Sequence, residues 1–173
     1  CLMKHFITLG LIMCGLCACT TMGKVVDVVM DPDIQVGSNS EQPTMVGFTL
    51  LAESDVNPNG SGEAAPIEFQ VVMLAEDSKL LASDYDQLAH DLKDALGKNY
   101  LDHQDYTLLP GQFKYLAPVK LDEKTRYIGV IARYAEPDAA EWRKVVRVKS
   151  MGENYQILLH LRQNELQLQK EEE

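Results

Sequence analysis

No cysteine follows Cys19 in this 173-residue chain, and it holds one tryptophan and four phenylalanines. Any domain built from the later residues has no disulfide to close it. It must be held by one hydrophobic core, which ~130 ordered residues can supply. Basic residues are also scarce: 16 Lys and Arg stand against 26 Asp and Glu, for a net charge of −10. That balance excludes nucleic acid as a partner, because phosphate binding needs clustered positive charge. Phosphate-binding glycine loops are missing, since "NPNGSG" (Asn57–Gly62) lacks the Lys-Ser/Thr that would follow. A nucleophile elbow is absent as well. Nothing in the chain assembles a catalytic site, a metal site or a cofactor cradle. The reading is a non-enzyme without a small-molecule substrate.

What is present begins with "GLIMCGLCACTTMGK" (Gly10–Lys24), which holds three of the four cysteines. The apolar run Phe6–Ala18, interrupted only by Thr8, falls short of the ~20 residues that a membrane helix needs. A short basic start at Lys4, a brief apolar stretch and small residues at its end describe an export signal, with Met3 as its expected initiator. Leu16-Cys17-Ala18-Cys19 has the order of a bacterial lipobox: aliphatic, variable, small, then the cysteine that takes the lipid. Cys14 and Cys17 are poor acceptors, because Met13 and Leu16 stand where a small residue belongs. Zinc ligation by Cys14, Cys17 and Cys19 lacks a fourth ligand and the usual paired spacing. Residues 1–18 are therefore read as signal peptide and Cys19 as the lipidation site. Thr20 stands where Asp would signal inner-membrane retention, so the expected destination is the periplasmic face of the outer membrane. Residues 19–43 form the lipidated N-terminus and a turn-rich tether, with a short strand at Lys24–Met30.

Beyond the tether the pattern is mostly β. "TMVGFTLLAE" (Thr44–Glu53) and "PIEFQVVMLA" (Pro66–Ala75) are candidate strands, the second placing Ile67, Phe69, Val71 and Met73 on one face. "DYTLL" and "QFKYLAPVKL" are joined by Pro110-Gly111, suited to the centre of a type II turn. "RYIGVIARY" and "EWRKVVRVK" are joined across "AEPDAA", and "NYQILLHL" puts Tyr155, Ile157, Leu159 and Leu161 on one side. Short strands with turn signals between them predict a β-sandwich spanning residues 44–163, followed by a charged tail at 164–173. One segment breaks the period: Ser83–Leu96 sets Tyr85, Leu88, Leu92 and Leu96 on a helical stripe. Ser83 and Asp86 are placed for a capping box, and Gly97 for the stop. The spacing predicts one amphipathic helix lying on the sandwich.

Three groups of polar residues invite chemistry. Asp55, Asn57, Asn59 and Gly60 resemble the opening of a calcium loop, but Pro66 occupies the position where such a loop needs Glu. His90 with Asp91 and Asp94, and His103 with Asp102 and Asp105, are read as solvated charges and not as acid–base pairs. Arg143, Arg147 and Lys149 form a modest basic strip that could meet an acidic partner. Trp142 is read as core.

"DVNPNGSGEAAPIEFQVVMLAE", "SDYDQL", "LLPGQFKYL" and "RYIGVIARYAEPDAAEWRKVVRV" occur in that order behind a lipobox. Together they resemble the TssJ (VasD/SciN-type) lipoproteins of type VI secretion systems over roughly Met45–Val148. One departure is that the first loop, Ala52–Pro66, is acidic and lacks the basic residue often found after its Gly. The resemblance implies a transthyretin-like two-sheet β-sandwich with an added helical segment and a prominent loop between its first two core strands. It implies a lipoprotein that binds the periplasmic C-terminal region of TssM and, with TssL, builds the type VI membrane complex. The TssM contact then maps to Ser54, Asp55, Val56, Asn57, Pro58, Asn59, Gly60, Ser61, Gly62 and Glu63. Physically, Pro58 would stiffen such a loop, and Asn57 and Asn59 would offer donors and acceptors. The rival reading is an unrelated sandwich lipoprotein, a pilotin-like assembly factor or a calcium-dependent binding module.

Overall fold

The computed structural model describes residues 39–173. The expected signal segment, Cys19 and the strand at Lys24–Met30 lie outside the described residues. Eight strands, β1 Met45–Ala52, β2 Ile67–Leu74, β3 Tyr100–Leu108, β4 Phe113–Lys120, β5 Tyr127–Ala132, β6 Arg143–Arg147, β7 Asn154–Leu161 and β8 Leu166–Glu172, form two four-stranded sheets. The first sheet has the order β4-β1-β7-β8 and the second β3-β2-β5-β6. All pairs are antiparallel except β1 with β7, which run parallel from Met45↔Asn154 to Ala52↔Leu161.

Alternation decides which side chains meet between the sheets. Val46, Phe48, Leu50 and Ala52 of β1 face Ile67, Phe69 and Val71 of β2, and all are buried. Tyr155, Ile157, Leu159 and Leu161 of β7 complete the layer, as their period-two spacing requires. Burying side chains of this size is worth about 1.5–3 kcal/mol each, so this layer dominates the stability of the domain. The β3–β4 link is the expected type II turn: Gln112 N–H donates to the Leu109 carbonyl at 3.0 Å, and Gly111 has φ +76°. The two strands it joins belong to different sheets.

The helical segment differs from its expectation. Instead of one helix there are three short ones, α1 Ser78–Ala82, α2 Tyr85–His90 and α3 Leu92–Leu96. Asp84, not Ser83, caps α2. Its side chain accepts from Gln87 N–H at 2.8 Å, and the Gln87 side chain accepts from Asp84 N–H at 2.9 Å. Ser83 is engaged at the end of α1, where its hydroxyl donates to the Lys79 carbonyl at 2.7 Å. Asp91 adopts an extended conformation that interrupts the stripe, and its carboxylate recaps α3 through Asp94 N–H at 3.0 Å. Burial survives the break. Leu80, Leu88, Leu92 and Leu96 pack on Val72, Leu74 and Ile131, the outer face of the second sheet. Gly97, with φ +52°, ends α3 as expected.

A second correction concerns residues 164–173. Leu166–Glu172 is an edge strand paired to β7 from Tyr155↔Glu172 to Leu161↔Leu166, not a tail. Only Leu166 and Leu168 carry its apolar side, and the stem of Lys170 extends over the Tyr155 ring with Nζ at 4.6 Å. Among the described residues, no helix is long and apolar enough to cross a membrane.

Candidate partner-binding surface

The link between β1 and β2 divides into a buried base and an exposed tip. Val56 is fully buried in the sandwich core, because the chain dips inward after Glu53 before turning back to β2. Asn57 follows it into the interior with φ +50°, a conformation that asparagine tolerates better than most residues. Its Nδ2 donates to the Pro66 carbonyl at 2.9 Å, and its Oδ1 accepts from Ala135 N–H at 2.7 Å. Asn57 N–H also donates to the Gln163 carbonyl at 3.1 Å. One side chain therefore ties the first loop to the segment after β5. Asn57 is a buried brace with both side-chain polar atoms engaged within the protein, and not the surface donor and acceptor expected.

The tip is a separate closed unit. Asn59 Oδ1 accepts from Ser61 N–H at 2.9 Å and from Glu63 N–H at 3.1 Å. The Asn59 and Glu63 backbones add a further bond at 2.8 Å, and Gly62 takes φ +80° to complete the reversal. Ser54, Asp55 and Asn59–Glu63 are exposed, and Pro58 is half-buried. Of the ten residues mapped to partner contact, eight reach the surface and Val56 and Asn57 do not. The side-chain oxygens of Asn57 and Asn59 each accept from main-chain amides. Among the described residues, no group of three His, Cys, Asp or Glu side chains is placed to hold a metal ion.

Beside the loop lies an open cleft of about 560 Å³, lined by Glu53, Asp55, Asp138, Glu141, Arg162 and Glu165 among others. Its carboxylates outnumber its cations. Glu53 Oε1 is 3.4 Å from Arg162 Nε and 3.0 Å from His160 Nε2, the latter without an aligned hydrogen bond. Buried Tyr134 donates its hydroxyl to the Arg162 carbonyl at 2.9 Å. Burial, then the Glu165 and Glu53 charges, push its phenol far above the ordinary tyrosine range. This cluster escapes sequence reading, because its members come from the β1–β2 link, the β5–β6 link, β7 and the β7–β8 turn.

The remaining candidates fall elsewhere. Arg143 donates to the Leu80 carbonyl at 2.9 Å and to the Ser83 carbonyl, pinning α1 to β6. Lys149 pairs with Glu153 at 2.6 Å, leaving Arg147 as the free member of the basic strip. Trp142 packs against both hydrophobic clusters and meets Tyr85 edge-on at 5.2 Å. His90 is exposed on α2, and His103 Nδ1 lies 2.8 Å from the Tyr100 hydroxyl.

The family model described as type VI secretion lipoprotein, VasD, EvfM, TssJ matches residues 44–164. No curated protein sequence matches the chain. Among solved structures, the chain is similar to the type VI lipoprotein TssJ1 from Pseudomonas aeruginosa at 28% identity and TM-score 0.70. That likeness covers 75% of this chain and 97% of the other. It is also similar to Lip from Serratia marcescens, a membrane bound component of the type VI secretion system, at 27% identity and TM-score 0.68. The coverage there is 75% of this chain and 98% of the other. A chain in the structure described as the TssM C-terminal domain from EAEC shares the fold at 19% identity and TM-score 0.59, over 72% of this chain and 97% of that one. The two sheets with their added helical segment are thus the transthyretin-like sandwich of the TssJ structures. With most of the folded region matched by one family model and the same fold in two of its lipoproteins, this chain belongs to the type VI secretion lipoprotein family.

Proposed function

We propose that this protein is an outer-membrane lipoprotein, acylated at Cys19, that binds the periplasmic C-terminal region of TssM through the tip of its first loop. With TssL in the same complex, it helps to build the type VI membrane complex as a scaffold and not as a catalyst. The observation that supports this reading most is the division of the loop. A tip closed on Asn59 stands exposed on a base fixed by Val56 and Asn57. A tip ordered before binding loses little conformational freedom on contact, which favours affinity.

The test leaves the base intact. Replacing Asn59–Gly62 with a Gly-Ser turn in the full chain should keep the urea midpoint within about 1 kcal/mol of the parent, because the tip buries no core. The same change should weaken binding to the TssM periplasmic region about thirty-fold in titration calorimetry, equivalent to ~2 kcal/mol. Binding equal to the parent's would refute the loop as the contact. The anchor is tested separately by Cys19→Ser, which should release the protein from the outer-membrane fraction.

A further inference from the structure

The exposed loop is too small to be a whole interface. Ser54, Asp55 and the Pro58–Glu63 tip are a handful of residues, whereas a stable complex commonly engages roughly 20–30 residues a side. A partner seated on the tip must therefore also cover an adjoining surface. Two such surfaces meet the loop: the acidic cleft around Glu53, and the outer face of the first sheet. The second joins the loop through backbone bonds, with Gly111 N–H donating to Glu53 at 3.1 Å and Ala52 N–H to Gln112 at 2.9 Å.

That outer face has an unusual composition for this chain. Strand register sets two rows across the sheet, Phe113–Leu51–His160–Gln167 and Tyr115–Thr49–Leu158–Gln169. Neither row contains a carboxylate, a lysine or an arginine, although charged residues make up 24% of the protein. Its corner beside the loop is aromatic and bare: Phe113 is 62% exposed and Tyr115 56%, with Leu109 on the adjoining turn at 57%. Depletion of charge with exposed aromatic residues is the composition of an interface centre. The free edge of β4 is less suited to receive an added strand, because Pro118 lacks a donor and Lys114 stands on it.

We infer that this outer face, from the Phe113–Tyr115 corner across Leu51 and Leu158, is the second half of the TssM-binding surface. It takes an apolar patch on that partner, framed by basic residues. The inference rests on the proposed function. The frame follows from charge: on a chain of net charge −10, Glu171 borders the face opposite Gln156, and Glu53, paired with Arg162, stands at its loop end. Those carboxylates disfavour both a second copy of this acidic chain and an anionic lipid surface. Lys114 pairs with Leu50, whose side is the interior, so it does not lend the face positive charge.

The experiment pairs Phe113→Ser with Tyr115→Ser in the full chain carrying Cys19→Ser, titrated against the TssM periplasmic region. Both positions are exposed, so the urea midpoint should stay with the parent, and Tyr115→Phe serves as the conservative control. Binding should weaken about tenfold or more in the serine pair, recover with Tyr115→Phe alone, and fall further when the loop-tip replacement is added. Parent-like binding by the serine pair, while the tip replacement weakens it, would overturn this inference and leave the loop reading standing. No binding by the parent itself would overturn both. Sedimentation and flotation on phosphatidylethanolamine–phosphatidylglycerol vesicles cover the other occupants. A self-association or vesicle binding that the serine pair abolishes, with TssM binding unchanged, would also overturn it.

Discussion

The two sheets of this sandwich treat their outer faces in opposite ways. Outside the second sheet, Val72, Leu74 and Ile131 are sealed beneath four leucines from three short helices. Outside the first, Leu51 and Leu158 lie half-open among Thr49, Gln156 and Gln169, with Phe113 and Tyr115 standing clear. The strands themselves carry the difference. β2 and β5 are apolar on both sides, "VVML" and "IGVIA", as befits strands covered twice. β7 alternates buried and half-buried residues along its length, as befits a strand covered once. A strand therefore announces whether something lies over its second face, and here one face has its cover within the chain.

The largest expected effect breaks the covered face. Leu88→Ala should cost about 2–5 kcal/mol in urea unfolding, through lost transfer energy and a residual cavity. Leu158→Ala, on the bare face, should cost at most about 1 kcal/mol, because solvent reaches the site already. Equal losses at the two positions would mean that the faces do not differ in burial. A finer contrast uses one glycine from each sheet. A Cβ on Gly129 would meet Leu80 Cδ2 at 2.5 Å and Leu74 Cδ1 at 3.3 Å, both in the sealed layer. One on Gly47 would meet only the outer end of the Gln156 side chain, also at 2.5 Å, which can swing away. Gly129→Ala should cost about 1–3 kcal/mol by overpacking, and Gly47→Ala within about 0.5 kcal/mol.

Much of this was legible beforehand. The inward faces of β2 and β7 followed from period two, and Leu88, Leu92 and Leu96 from their helical stripe. The break in that stripe was not legible, because Asp91 can either extend a helix or cap the next one, and only the sheet beneath decides. β8 was hidden for a related reason. Two leucines among Gln, Glu and Lys make a weak signal until β7 offers them a partner. At the loop, sequence singled out the stretch but could not separate base from tip. The partner of Asn57 is Ala135, 78 residues away, and no local pattern points to it.

A further prediction tests the tie between the sheets at the loop end. Tyr134 follows β5 of the second sheet, and its hydroxyl reaches the Arg162 carbonyl after β7 of the first. Burial, reinforced by Glu165 and Glu53, raises its pKa in the folded state, so the unfolded chain loses this proton first. Stability from this group is intact below about pH 10, the ordinary tyrosine value, and declines as pH rises beyond it. Tyr134→Phe should cost about 1 kcal/mol at neutral pH from the lost hydrogen bond. It should also flatten the alkaline limb of the stability curve, measured by urea titration from pH 8 to 11. An unchanged alkaline slope would assign that limb to other groups.

The parallel pairing of β1 with β7 has a consequence for how the chain comes together. Glu153 N–H donates to the Thr44 hydroxyl across a separation of 109 residues, and the pairing of the two strands starts beside it. Contacts this remote in sequence give a high contact order, and folds dominated by them form in roughly milliseconds to seconds. A chain delivered N-terminus first holds β1 with its central neighbour missing until the residues of β7 arrive. Through most of synthesis it is expected to remain without that pairing. Val46, Phe48 and Leu50 stay open to chaperones during that interval. Folding then becomes a late, concerted event, timed by the emergence of the last two strands.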